Sequence, residues 1–330
     1  MRLRHVAVIA LGSIGRRHLR ILRCLKYDLE ITVVRSGRSR EIEEESLADR
    51  IVYSLSDAIS SGIQAAIIAS PAPMHVSQAL ELISAGVHLF IEKPLATSIS
   101  EVSCLMDADR NSQTVTLMGF VMRHHPAAAM FKKQLDDGRL GRRLHTQIES
   151  RSYLPDWRTN KQYKDSVSAS HELGGGVLFE LSHEFDYSRW FLGEVRNVIG
   201  RLQNSGILHL DVEESADVIM EHVSGQVTNM HLSFNEKIAS RFCLITGENG
   251  QLFWDSLNQV IEWRPNNGSI DRFQYDYEYD HVYELQILHF IDCIENKISP
   301  KVGLSDGLAS LKIVEAIRTS DRTGSRVAVA

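Results

Sequence analysis

The most constraining feature of the chain lies at its start, where an apolar run, a glycine turn and an amphipathic stretch follow one another directly. Residues 6–10 are all Val, Ala or Ile, Gly12 and Gly15 come next, and 14–25 carries apolar residues at helical spacing. Such a run reads as a strand that turns straight into a helix. Gly12 would let the backbone approach a pyrophosphate, Gly15 would let the helix pack on the strand, and the first helical N–H groups have no partners within the helix. One element departs from the G-x-G-x-x-G pattern: Ala10 stands where the first glycine makes its tight bend. The turn predicts a dinucleotide site formed by Ala10, Gly12, Ser13, Ile14 and Gly15.

The same rhythm continues to about residue 120. Short apolar runs at 30–34, 51–53, 65–69, 87–91 and 115–118 alternate with helical patterns at 75–85 and 99–108. Continuous apolar strands separated by helices predict a doubly wound parallel sheet of the Rossmann kind, covered on both faces. After Gly119 the period changes. A helix is expected over 127–135, and the segments 144–151, 216–222, 226–234 and 241–246 alternate with period two. That alternation predicts a mainly antiparallel, open sheet in a C-terminal α+β domain, closed by a helix over 303–320 and a return strand within 321–330. The expected organisation is a dinucleotide-binding Rossmann domain at 1–120 and a substrate-binding α+β domain at 121–330.

Charge and cysteine usage exclude several classes. The 330 residues carry 36 Lys/Arg against 42 Asp/Glu, and the negative excess lies entirely beyond residue 120, because the first 120 hold 13 of each. Neither part has the basic footprint that nucleic acid demands, so no nucleic-acid partner is expected. Cys24, Cys104, Cys243 and Cys293 lie far apart. They predict no disulfide framework and no zinc site, and they suit a reduced, cytoplasmic compartment. No H-E-x-x-H or His/Cys cluster suggests a metal. The early apolar run at 6–11 is too short to span a membrane, and no membrane partner is expected.

About twenty residues past the last glycine of such a turn, an NAD site places a carboxylate against the ribose 2′-hydroxyl. Here that position is Arg35, and 31–40 contains no carboxylate but holds Arg35, Ser36, Arg38, Ser39 and Arg40. A 2′-phosphate brings about two negative charges and forms charge-assisted hydrogen bonds worth about 1.5–3 kcal/mol each. The expectation is NADP(H) over NAD(H), with Arg35, Ser36 and Arg38 holding the phosphate. A solvated basic loop is the alternative.

Further along, Glu92-Lys93-Pro94 follows the run at 87–91, and Gly174-Gly175-Gly176 leads to His183 and Asp186. With the glycine turn, the segment 119–126 and the segment 303–310, these motifs resemble the Gfo/Idh/MocA oxidoreductases over nearly the whole length. The resemblance implies an NAD(P)-dependent dehydrogenase or reductase. Its substrate would be a secondary alcohol or ketone of a sugar, sugar derivative or nucleotide sugar. It also implies a cis Lys93–Pro94 bond and a homodimer or homotetramer assembled through the open face of the second sheet.

Lys93, at the carboxyl end of a strand, could donate to the reacting oxygen and stabilise charge developing there. His183 is the expected acid/base, since imidazole titrates near neutrality. The stretch 177–192 reads as one helix with Leu178, Leu181, Phe185 and Leu192 buried and Gly193 as terminator. At helical spacing Glu180, His183 and Asp186 span about 120° of one face. The family often has an aspartate four residues before the histidine. Phe179 stands there, and Glu180, three before, is the expected third catalytic group. Ser70, His75 and Glu92, with Lys93, complete the expected cofactor set. Asp186, Arg123, Tyr153 and Trp157 form the expected substrate set, the last two in a polar aromatic loop that continues through Arg158 and Lys161 to Tyr163. His124 and His125 read as a packing turn at the domain junction. Two other readings keep the fold: a non-catalytic NAD(P)-binding regulator, which would need neither Lys93 nor His183, and an enzyme that retains its nicotinamide while substrates alternate.

Overall fold

The computed structural model describes residues 2–25, 28–37, 42–157 and 162–329. Strands β1 (His5–Ile9), β2 (Glu30–Val34), β3 (Arg50–Val52), β4 (Ala65–Ile68), β5 (His88–Ile91) and β6 (Thr116–Met118) form one sheet in the order β3-β2-β1-β4-β5-β6. All of its pairings are parallel. Every residue of β1, β4 and β6 is buried, so both faces of the sheet are covered, as the unbroken apolar runs require. The strand order reverses between β1 and β4, and ligands of open α/β sheets bind beyond the carboxyl ends of the strands at such a reversal.

Helices α1 (Ser13–Cys24), α2 (Leu55–Ser60), α3 (His75–Ser84) and α4 (Val102–Asn111) connect these strands. Contacts divide the chain into two units, 1–124 with 278–308 and 125–277 with 309–330. The return of 278–308 to the first unit is a feature that the change of period near 120 does not reveal. Within that first unit the ring of Phe290 lies 5.9 Å from that of Phe90 on β5, and the N–H of Met118 donates to the carbonyl of Val302 at 3.1 Å.

The second unit holds a nine-stranded sheet made from β7 (Arg143–Tyr153), β8 (Val195–Gln203), β9 (Ser215–His222), β10 (Val227–Ser233), β11 (Asn235–Gly247), β12 (Gly250–Asp255), β13 (Val260–Pro265), β14 (Asp271–Gln274) and β15 (Val327–Ala328). Its order is β14-β13-β12-β11-β7-β10-β9-β8-β15, and only β7 and β10 pair in parallel. Burial alternates along β9 and β10, which leaves one face covered and one bare. On the covered side Trp254 of β12 lies 6.1 Å from Phe131 of α5 (Pro126–Asp136). Its indole N–H donates to the Tyr275 hydroxyl at 2.8 Å. His125 caps α5, its Nδ1 accepting from the N–H of Ala127 at 3.1 Å, and burial holds its pKa at about 4.

Two helical expectations need correction. The stretch 177–192 is not one helix but two, α6 (Val177–Glu180) and α7 (His183–Leu192), because Leu181, at φ −97° and ψ 26°, leaves the α conformation between them. The 100° arithmetic that put Glu180, His183 and Asp186 on one face therefore does not carry across the break. A further helix, α8 (Tyr279–Asn296), precedes the last one, α9 (Leu304–Thr323), and went unpredicted, as did β8, β12, β13 and β14. Polar residues at every second or third position dilute the periodic signal in β8 and β14.

Candidate active site

β1 ends at Ile9, and the chain turns through Ala10 at φ 68° before α1 begins. The backbone thus keeps the left-handed bend that glycine makes without strain, at a cost of about 1–2 kcal/mol for an alanine. A Cβ at Gly15 would lie 2.1 Å from the carbonyl oxygen of Ala10, so that glycine is required by the close approach of helix and strand. A Cβ at Gly12 would meet nothing within 4 Å. The N-cap of α1, Gly12 itself, supplies no side-chain hydrogen bond to the helix start. Open space over backbone N–H groups, at the sheet's reversal point, fits a dinucleotide pyrophosphate.

β2 runs beside this turn, its last residue Val34 accepting from the N–H of Ala10 at 3.0 Å, so Arg35 emerges next to the turn. Arg35 is not a bare cation. It is only 8% exposed, and its guanidinium is ion-paired with Glu45 in the short helical turn Glu43–Leu47. Ser36 is exposed. Arg38 lies outside the described residues, as do Arg40, Arg158 and Lys161.

At the carboxyl end of β5 the residues Glu92, Lys93 and Pro94 form a turn held from two sides. Glu92 is 5% exposed, and its Oε1 lies 2.6 Å from Nε2 of the fully buried His18 on α1. Its Oε2 accepts from the N–H of Lys93 at 3.2 Å. Lys93–Pro94 is cis. His75, the first residue of α3, is 1% exposed and sits between two carbonyls, with Nδ1 2.9 Å from that of Pro94 and Nε2 2.8 Å from that of Ser70. Burial pushes the His75 pKa down, while the two carbonyls act against that shift. His75 thus lies between the segment after β4 and the turn after β5, and the single N–H of its neutral ring donates to one of the two carbonyls. Ser70 donates its hydroxyl to Gln78 at 2.6 Å. Lys93 is half-buried.

In the second unit His183 opens α7 and is half-buried, as is Glu180 at the end of α6. Asp186 lies deeper than expected: it is fully buried, with Arg189 3.8 Å away, and has no exposed surface from which to receive a substrate hydroxyl. Phe179, at the position where the family often has an acid, is a core residue beneath Arg318, whose guanidinium lies 4.5 Å from the ring centre. Trp157 packs edge-on against Phe234 at 5.1 Å and donates its indole N–H to Ser152 at 2.8 Å, so its polar atom is engaged within the fold. Lys237 lies over the Tyr153 ring at 5.6 Å. In the first unit, Arg123 pairs with Asp306 at 3.4 Å. Two groups the sequence reading did not single out, His18 and Glu45, turn out to hold the motif residues. Among the described residues no cluster of His, Cys, Asp and Glu could hold a metal ion, and no helix is long and apolar enough to cross a membrane.

A parallel sheet reversing beside an open glycine turn, with a lysine at the end of a neighbouring strand, defines an NAD(P)-binding oxidoreductase built on a Rossmann unit. More narrowly, the chain belongs to the Gfo/Idh/MocA oxidoreductases: the family's NAD-binding Rossmann fold matches 4–120 and its C-terminal alpha/beta domain matches 132–329. Among curated proteins it is 24% identical to scyllo-inositol 2-dehydrogenase (NAD(+)) of Bacillus subtilis (strain 168), over 97% of this chain and 95% of that one. It is also 24% identical to an inositol 2-dehydrogenase of Streptomyces avermitilis, over 98% and 94%. Among solved structures, levoglucosan dehydrogenase in complex with NADH superposes with a TM-score of 0.88 at 19% identity and complete coverage of both chains, a likeness of fold.

Proposed function

We propose that this chain moves a hydride between a nicotinamide dinucleotide and a secondary alcohol or ketone carbon of a sugar, cyclic polyol or related derivative. The observation that carries the reading is the glycine turn at the reversal point of the parallel sheet, with Lys93 at the carboxyl end of β5 in the same unit. Relatives named as inositol 2-dehydrogenases support a polyhydroxylated substrate. The nicotinamide, when bound, supplies or accepts the hydride. Lys93 donates a hydrogen bond to the reacting oxygen and stabilises the negative charge that grows there as the carbonyl is attacked. The turn that bears it is held by Glu92 and by His75, so its backbone is set before substrate arrives. His183 exchanges the hydroxyl proton, with Glu180 as the acid that orients it or takes a neighbouring hydroxyl.

The finer cofactor choice proposed is NADP(H) over NAD(H). It is supported by the lack of any carboxylate over 31–37 and by the emergence of Arg35 beside the turn. A homo-oligomer through the bare face of the nine-stranded sheet is proposed as well. Ile199 and Ile219, 44% and 42% exposed and paired across the neighbouring strands β8 and β9, support it.

The decisive experiment is Lys93→Met assayed with NADPH and NADP against sugars, cyclic polyols and nucleotide sugars. We expect kcat to fall by about a thousandfold, on the scale of losing an oxyanion donor, with dinucleotide affinity unchanged. Near-normal turnover in the variant would refute the assignment.

A further inference from the structure

We infer that Glu45 is a specificity-determining residue that sets how strongly the protein discriminates between NADP and NAD. The inference rests on the reading that a nicotinamide dinucleotide binds at the Gly12 turn. In the sequence the stretch 31–40 carries three arginines and no acid, but 41–45 contains Glu41, Glu43, Glu44 and Glu45. Among the described residues the fold pairs one of these arginines with one of these acids. Glu44 accepts from Arg20 at 3.0 Å and lies 3.7 Å from Arg16, which fastens the turn Glu43–Leu47 against α1. Glu45, from the same turn, meets Arg35 where β2 ends. The side chains of Arg35 and Glu45 are 8% and 14% exposed, so solvent and salt screen this pair weakly.

The pairing changes what Arg35 can do. A 2′-phosphate approaching the end of β2 must compete with the Glu45 carboxylate for the guanidinium, and it meets a like charge that is already in place. A 2′-hydroxyl meets no such repulsion, and a carboxylate there can accept from it, which is the usual device of NAD sites. Glu45 thus returns, from ten residues further along the chain, the carboxylate that the end of β2 lacks. The NADP preference suggested by Arg35 is held down to the extent that Glu45 compensates its charge.

The test is the dissociation constant of NAD and of NADP, read by calorimetry on the full-length protein without substrate, for the native chain, Glu45→Gln and Glu45→Asp. Glu45→Gln keeps the shape and removes the charge. The ratio Kd(NAD)/Kd(NADP) is expected to rise by about tenfold or more, the scale of one hydrogen bond to a charged group. Glu45→Asp, which cannot reach Arg35 as well, should raise it by a smaller factor, and it decides the matter if Glu45→Gln does not fold. A ratio within twofold of the native value in a variant with native melting temperature overturns the inference while leaving the dinucleotide site intact. Failure of the native protein to bind either dinucleotide overturns the underlying reading, and this inference with it.

Discussion

The two glycine-rich turns of this molecule use the same residue for opposite ends. At Gly12 a Cβ would enter open space, whereas at Gly175 it would lie 2.3 Å from the carbonyl oxygen of Val167 and 2.7 Å from that of Ser168. At Gly176 the backbone sits at φ 102°, and a Cβ would meet Glu213 at 2.5 Å. At the first turn the Cβ position is open to solvent. The second is filled by the protein itself, by main chain at Gly175 and by the Glu213 carboxylate at Gly176, so these glycines serve packing and are no evidence in themselves that His183 is catalytic. What separates the two is the neighbourhood of the absent side chain, which a count of glycines does not contain.

Three substitutions can break or sharpen that contrast. The largest effect on folding should come from Gly175→Ala, because two carbonyls would have to move to admit one methyl. We expect a loss of about 3 kcal/mol, read as a lower urea midpoint with an unchanged slope, and a variant of native stability would show that the second turn is also open. Gly12→Ala should show the reverse pattern, with folding stability within about 0.5 kcal/mol of native. Its dinucleotide affinity, followed by calorimetry, should fall by about tenfold or more as the methyl takes the pyrophosphate's place. Unaltered affinity would break the comparison at its more important end. The smallest effect is expected at Ala10→Gly, where φ 68° is strained for alanine. Removing the methyl should stabilise by about 0.5–1 kcal/mol, less than the full strain because glycine also frees the unfolded chain. A thermal melt no higher than native would mean that the turn has adapted to Ala10.

The parallel sheet was legible because each of its strands is buried on both faces and so leaves an uninterrupted apolar run. The alternating strands at 216–222 and 226–234 were legible for the complementary reason, one face each. By contrast, α8 carries tyrosines, histidines and acids among its apolar residues and reveals its face only when Phe290 is seen against Phe90. The helix break at Leu181–Ser182 left no proline or glycine to announce it. Within the candidate site, Lys93 and the glycine turn were found from motif and strand context. Asp186, expected to face the same cleft as Glu180 and His183, is fully buried beside Arg189, because helical phase gives direction but not depth.

What the sequence determined by itself is the order of elements, the position of the glycine turn and the motif residues at the strand ends. These are local matters, written in periods of two and 3.6 residues and in the backbone freedom of glycine. Only the tertiary structure decided which of the charges are compensated. Arg35 and Glu45 are ten positions apart, and His18 and Glu92 are separated by 74. Electrostatic pairing depends on distance through space and on exclusion of water, and neither quantity is encoded in spacing along the chain.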